Sequence, residues 1–407
     1  MPPQSAHRPL MTAVAAAIHA YNAGREPRLL ALKYERLRIS PFVFLRGTCH
    51  LFFDRLAALE PPVDAPMAWA CGDLHLENFG SYKGDNGLTY FDINDFDESA
   101  LAPAHWDLLR CLTSLLLAAR QFDASPAKAA RVGEAFMGAY AAALEQGSAR
   151  WIERSTAQGL VGEHLKSLRR RTQAGLLDRY CDAGQRRRSI RCDGKKLLTI
   201  TSTERKRVAD LISTGTTQAG IDAPDIVDIA RHVSGTASLG LERYVVLVRE
   251  GKAATMKYQL LDLKQARPSS LQRHLGDKQP AWQSGAHRQV ALEQRMQAVP
   301  MALLHPLVDG EHSWVLRAIQ PSEDRIDLSA AGVSLKEVRG VVEDMGRLLA
   351  WAQLRSSGRQ GAATADALID FGARHDGWSA AILDTAKHCA DQVRSDWKAW
   401  RRAVARK

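Results

Sequence analysis

The sequence offers no apolar run approaching the roughly 20 residues that a membrane-spanning helix needs. The best candidate, "LLLAA" at 115–119, is short and follows Arg110 closely. No signal peptide is expected either, because "MTAVAAAIHAYNAG" lacks a basic leading segment and carries His19 within its apolar stretch, which reads better as an amphipathic helix. The six cysteines, at 49, 71, 111, 181, 192 and 389, form no C-x-x-C. A zinc knuckle and a disulfide framework are thereby excluded, and a reducing, cytoplasmic setting is expected. Internal repeats are absent, as is any signature of a nucleic-acid-binding module.

What is present is enough apolar sequence for a proper core, 45% hydrophobic residues against 25% charged, in a chain of 407 residues that is too long for one average domain. The net charge of +10 is concentrated: fourteen Lys or Arg stand between Lys166 and Arg207 against Asp178, Asp182, Asp193 and Glu204. Such a stripe at 166–207 either is a solvated helical face or attracts an anionic partner such as nucleic acid, a membrane surface or a phosphorylated substrate.

Periodicity divides the chain into four regions and predicts an α+β fold. Residues 1–160 read as a helical lobe interrupted by short strands, "MAWAC" and "LTYFDI", around the turn "KGDNG"; within it "SPFVFLRG" at 40–47 reads as a turn or the start of a strand. Residues 161–222 read as a basic connector. Residues 223–325 read as a β-rich lobe, with strands in "IVDIARH", "RYVVLV", "YQLLDLKQA" and "SWVLRAIQP" and a helix in "SGAHRQVALEQRMQA". Residues 326–407 return to helical spacing and complete the helical lobe.

The densest chemistry lies in "CGDLHLENFG" at 71–80 and "FDINDFDE" at 91–98. Buried polar groups in that number need partners, since each unpaired one costs about 1–3 kcal/mol. Asp73 and Asn78 stand five apart, the D-x-x-x-x-N offset of a phosphoryl-transfer loop, in which the Asp orients or accepts the proton of the attacking hydroxyl and the Asn binds the metal. A second acid should follow on the next strand. Asp95 fits through "DFD" and Asp92 through its distance from Asn78, and both suit magnesium, which takes one or two carboxylates beside water and phosphate. His75 reads as a residue bracing this loop more than as a base.

These residues carry a resemblance. "GDLHLEN", an apolar strand, "DFD" and "WDLLR" resemble the catalytic loop of the aminoglycoside phosphotransferase and choline kinase branch of protein-kinase-like folds. The resemblance implies catalytic-loop roles for Asp73, His75 and Asn78, and a loop-bracing role for Asp107. "SPFVFLRG", "GDLHLENFG", "FDINDFDE", "WDLLR", "SGTASLGLERYVVLV" and "LDLKQARPS" also resemble, in that order and from about 36 to 356, the bacterial family of domain of unknown function 2252.

In an ordinary protein kinase the glycine-rich loop and strand lysine precede the catalytic loop. Here the candidates follow it, so the expected architecture is a two-lobe kinase-like fold in circularly permuted order. "GTASLG" offers Gly235, Ser238 and Gly240 for backbone amides to approach phosphate, although taken alone it is also a plain strand turn. Lys264 is placed to anchor phosphate unless it is a surface lysine on an edge strand. Glu293 would pair with Lys264, or else with its helix neighbours Arg288 and Arg295. Arg46 and Arg317 would either touch phosphate or pair with an acid of "FDINDFDE".

The leading expectation is an ATP- and magnesium-dependent phosphotransferase, with the acceptor, a small molecule or a protein, left open, and ATP not distinguished from GTP. Transfer of AMP by the same ligands, a nucleotide-sensing regulatory module without catalysis, and a metal-dependent hydrolase built on Asp73, His75, Asp92 and Asp95 stand as alternatives.

Overall fold

The computed structural model describes residues 7–183, 188–251 and 257–404. It is a mixed α+β protein, and the described residues form four separate sheets, the largest of six strands. Among the described residues no helix is long and apolar enough to cross a membrane. All six cysteines are unpaired.

One extended core joins both ends of the chain. Side chains from Val14 to Leu168 pack with side chains from Val338 to Trp400 in a single apolar cluster, so the C-terminal helices close over the N-terminal ones. The helix Leu335–Ser356, started by a capping box of Ser334 and Glu337, lies along Pro126–Glu145. Gly346 permits that approach, since a Cβ there would collide with the Phe136 carbonyl. "SPFVFLRG" is not a strand. Ser40 Oγ accepts from the Val43 amide and Pro41 occupies the first turn, so Pro41–Gly47 is a capped helix. Two short antiparallel pairings, Met67–Ala70 with Ala100–Pro103 and Phe79–Lys83 with Thr89–Ile93, flank the polar loops at 71–78 and 94–99.

The six-stranded sheet is antiparallel throughout, in the order His305–Asp309, His312–Ala318, Lys257–Ala266, Arg243–Glu250, Asp225–His232, Leu197–Leu198. Strand periodicity sorts its faces. Leu261 and Leu263 join Val246 and Val248 under the helix Ser202–Gln218, which contributes Val208, Leu211 and Ile212. Leu260 lies with Val245 and Leu247 under Leu176, Leu177 and Ile190. By the same alternation Asp262 and Lys264 share the face of Leu260.

The stretch expected as a connector, 161–222, is therefore no linker: it supplies the covers of both sheet faces and the edge strand Leu197–Leu198. Its apolar residues are spaced among arginines, which hid them. Much of its basic charge is spent locally, in the pairs Arg188–Asp178, Arg191–Asp182, Arg205–Asp228, Lys206–Asp210 and Arg207–Glu242. Arg186 and Arg187, and the stretch at 252–256, lie outside the described residues.

Candidate active site

The loop at 71–78 is held by one face of the buried helix His105–Ala118. Residues 107, 110 and 114 share that face at helical spacing. Asp107 accepts from the amides of Cys71 at 2.8 Å and Gly72 at 2.9 Å, Arg110 donates Nε to Asp73 Oδ1 at 3.0 Å, and Ser114 Oγ accepts from the Leu76 amide at 3.1 Å. Asp107 thus braces the loop as the resemblance implied. Gly72 is required at φ +86°, where a Cβ would also strike the Glu98 carbonyl.

Arg110 is the residue of this corner that the sequence reading missed. Fully buried, it also donates to the Leu45 carbonyl at 2.7 Å and lies 4.7 Å over the Phe52 ring. Its signal was available: a lone arginine in a helix whose neighbours are apolar must have a buried acidic partner. Burial pushes the Asp73 carboxyl up to about 7, against the opposing pull of Arg110. Arg110 engages Oδ1 alone, and among the described residues no donor reaches Oδ2.

Asn78 donates Nδ2 to the Asp73 carbonyl at 2.5 Å, and its Oδ1 has no donor among the described residues. His75 caps the short turn Leu76–Asn78, its Nδ1 accepting from the Glu77 amide at 3.1 Å. Burial and then Arg46 hold its imidazole well below the usual range, so it is neutral. Through that hydrogen bond it helps to position the loop.

The two candidate metal acids part company. Asp92 is buried and turned away from Asn78: it accepts from the Ala298 amide at 3.1 Å and faces Arg355 at 3.5 Å, tying the strand Thr89–Ile93 to the end of the helix Leu335–Ser356. Asp95, three residues on, borders the same cleft as Asn78 and Asn94. Lys264 comes across from the sheet to meet it, Nζ to Oδ1 at 3.5 Å, and makes a closer ion pair with Asp97. Burial disfavours charge on Lys264, but Asp95 and Asp97 outweigh it and raise the ammonium's pKa. The lysine sits on a central strand, paired with Arg243 on one side and Val315 on the other, not on an edge.

Glu293, on the helix Gly285–Met296, makes none of the ion pairs expected of it. Arg288 is drawn to the carbonyls of Asp97 and Arg267, Arg295 to Gln360, and Lys264 to the two aspartates. Glu293 Oε1 is left buried without a partner among the described residues, and burial pushes the carboxyl up to about 8, with Arg317 opposing. Arg46 and Arg317 pair outside "FDINDFDE": Arg46 with Glu77 at 2.8 Å, Arg317 with Glu323 at 2.8 Å and Asp262 at 3.4 Å.

The "GTASLG" turn leans on the N-terminal helices. Arg36 donates to the Gly235 carbonyl, Lys33 and Arg25 to Ala237, and Glu26 N to Gly240. Gly235 borders the cleft, Ser238 turns back on Ser234, and Gly240 packs on Arg25 beside a separate depression. Only one of the three loop positions, Gly235, therefore borders this cleft.

The cleft between helical body and sheet measures about 1010 Å³. Among the described residues no group of three or more His, Cys, Asp or Glu side chains is placed to hold a metal alone. Asn78 Oδ1 with Asp95 still suits magnesium, which completes an octahedron with water and phosphate oxygens. The self-contained hydrolase centre fails differently, because Asp92 faces away and His75 is committed to the loop.

These features define a mixed α+β protein in which a helical body and an antiparallel sheet enclose one strongly polar cleft. The chain belongs to the bacterial family described as uncharacterized proteins conserved in bacteria (DUF2252), whose pattern it matches over residues 25–403. No curated protein and no solved structure matches it significantly.

Proposed function

We propose that this protein is an ATP- and magnesium-dependent phosphotransferase with a kinase-like two-lobe architecture in permuted order. The helical lobe comes from 1–160 and 326–407, and the nucleotide lobe from 223–325 with its covers. The observation that carries this reading is the meeting of Lys264, late in the chain, with Asp95, early in it, beside Asn78. Nothing in core packing requires a central-strand lysine to cross to a loop carboxylate, whereas a triphosphate requires a cation and metal-binding oxygens at one place.

In this reading Asp73 Oδ2 receives the acceptor hydroxyl while Arg110 fixes the carboxylate through Oδ1. Asn78 and Asp95 would hold magnesium, which neutralises charge on the phosphates. Lys264 exchanges its aspartate partners for phosphate oxygens. AMP transfer uses the same groups with the nucleotide reversed.

The test is incubation of the full chain with magnesium and ATP labelled at the γ- or the α-phosphate, following label release and transfer to protein or to cell-extract metabolites. Loss of γ-label from ATP that Asp73→Asn abolishes is the expected result. Transfer from the α-label would mean AMP transfer, and binding without any turnover would favour the regulatory module.

A further inference from the structure

The cleft carries more positive charge than its ion pairs consume. Arg28 and Arg36 on the helix Pro27–Arg36, Arg179 on Gln173–Tyr180, and Lys195 and Lys196 in the turn before Leu197 all border it. Among the described residues none of the five has a carboxylate within ion-pairing distance, whereas Arg46, Arg243, Arg317 and Arg325, bordering the same cleft, all do. Five like charges brought together from three separate elements repel one another; Arg36 is held by the Gly235 carbonyl and Arg179 lies over the Tyr180 ring, but neither contact offsets the charge.

Arg36 reaches the Gly235 carbonyl of the glycine turn, whereas among the described residues the side chains of the other four bond neither that turn nor Lys264 and Asp95. The cations acting most strongly on Asp95 are Lys264, Arg243 and Arg317, and none of the five joins them. Aromatic platforms for stacked bases are sparse, since Tyr180 is the one Phe, Tyr or Trp side chain among the described residues bordering the cleft, beside the imidazole of His232. The space is concave and of the size that takes small molecules.

We infer that the acceptor is a small phosphorylated molecule, bound by Arg28, Arg36, Arg179, Lys195 and Lys196 beside the nucleotide. This rests on the phosphotransferase reading and narrows it. Aminoglycosides and choline carry positive charge, and a wall of this sign repels them.

The experiment loads the full chain with magnesium and a non-hydrolysable ATP analogue and titrates in fructose 1,6-bisphosphate, with fructose, choline and a 12-residue single-stranded oligonucleotide as comparison arms. The bisphosphate should bind the loaded protein while fructose and choline do not. The Arg179→Glu/Lys195→Glu/Lys196→Glu variant should weaken it about tenfold or more, with nucleotide affinity changed by less than about twofold. Because all three side chains are exposed, unchanged thermal unfolding is expected, and the milder Gln triple variant should show the same loss in smaller measure. Displacement of the bisphosphate by the nucleotide, or equal loss of both in the variant, would overturn the inference by assigning these cations to the nucleotide. Failure of the bisphosphate to bind, or markedly tighter binding of the oligonucleotide, would overturn it too. Bisphosphate binding at these residues in a protein that takes no nucleotide would instead overturn the phosphotransferase reading and leave an anion site standing.

Discussion

The two walls of the cleft are built on different terms. On the helical wall, Asp107, Arg110 and Ser114 each engage a separate part of the 71–78 loop, so the side chain that would meet the acceptor is fixed before anything binds. On the sheet wall Lys264 is borrowed by carboxylates of the opposite wall, Glu293 Oε1 is left without a partner among the described residues, and most of the glycine turn is occupied with other helices. The difference teaches where rearrangement is affordable: the 71–78 loop is pre-set, and under the proposed function adjustment on binding falls to the lysine and its neighbours.

Asp73→Asn strikes the pre-set wall at its centre. A phosphotransfer assay should show turnover reduced about 10²–10⁴-fold, with Mg·ATP affinity retained. Arg110→Met should cost about 3–5 kcal/mol in urea unfolding by leaving Asp73 as an unpaired buried carboxylate, and should lower turnover as well. A fully stable, active Arg110→Met protein would show that the helical wall is not held as described.

The sheet wall should respond in binding instead. Lys264→Met is expected to raise the dissociation constant for Mg·ATP about 10- to 100-fold, measured by calorimetry, with little change in thermal unfolding. The neighbouring acids separate the two terms within three residues: Asp92→Ala should cost about 1–3 kcal/mol of stability, whereas Asp95→Ala should abolish the magnesium dependence of nucleotide binding at nearly wild-type stability.

The smallest effect is on pH dependence. Glu293, displaced from the ordinary 4.5 to about 8, holds its proton in the fold at pH values where the unfolded chain has released it. Its contribution to stability is complete below the unfolded value and is lost as pH rises through about 8. Unfolding temperatures between pH 6 and 9 should therefore fall less steeply in Glu293→Gln than in the wild type.

Short-range spacing made the helical wall legible. That Asp73, Asn78 and Asp107 come together could be read because loop and helix start are local, and that Lys264 lies on a strand because of the apolar residues around it in "YQLLDLKQA". Arg110 escaped because its partner is 37 residues distant in the chain and nothing local marks the pair. Asp92 and Asp95 could not be separated, since which of them faces the cleft depends on how the chain leaves the strand Thr89–Ile93. "SPFVFLRG" misled because Ser-Pro opens helices and turns alike. The 161–222 covers were hidden by a charge density that suits a solvated face and equally a sheet cover with apolar residues at intervals. The Glu293 pairing depended on a competition among three carboxylates for Lys264 that only the fold arranges.

The central claim is that both walls grip one nucleotide through a metal. Titrating ATP into the wild-type chain with and without magnesium tests it most directly. Saturable binding of one nucleotide per chain, weakened about tenfold or more when magnesium is removed, is the predicted result. Absence of binding, or equal affinity with and without the metal, would contradict it.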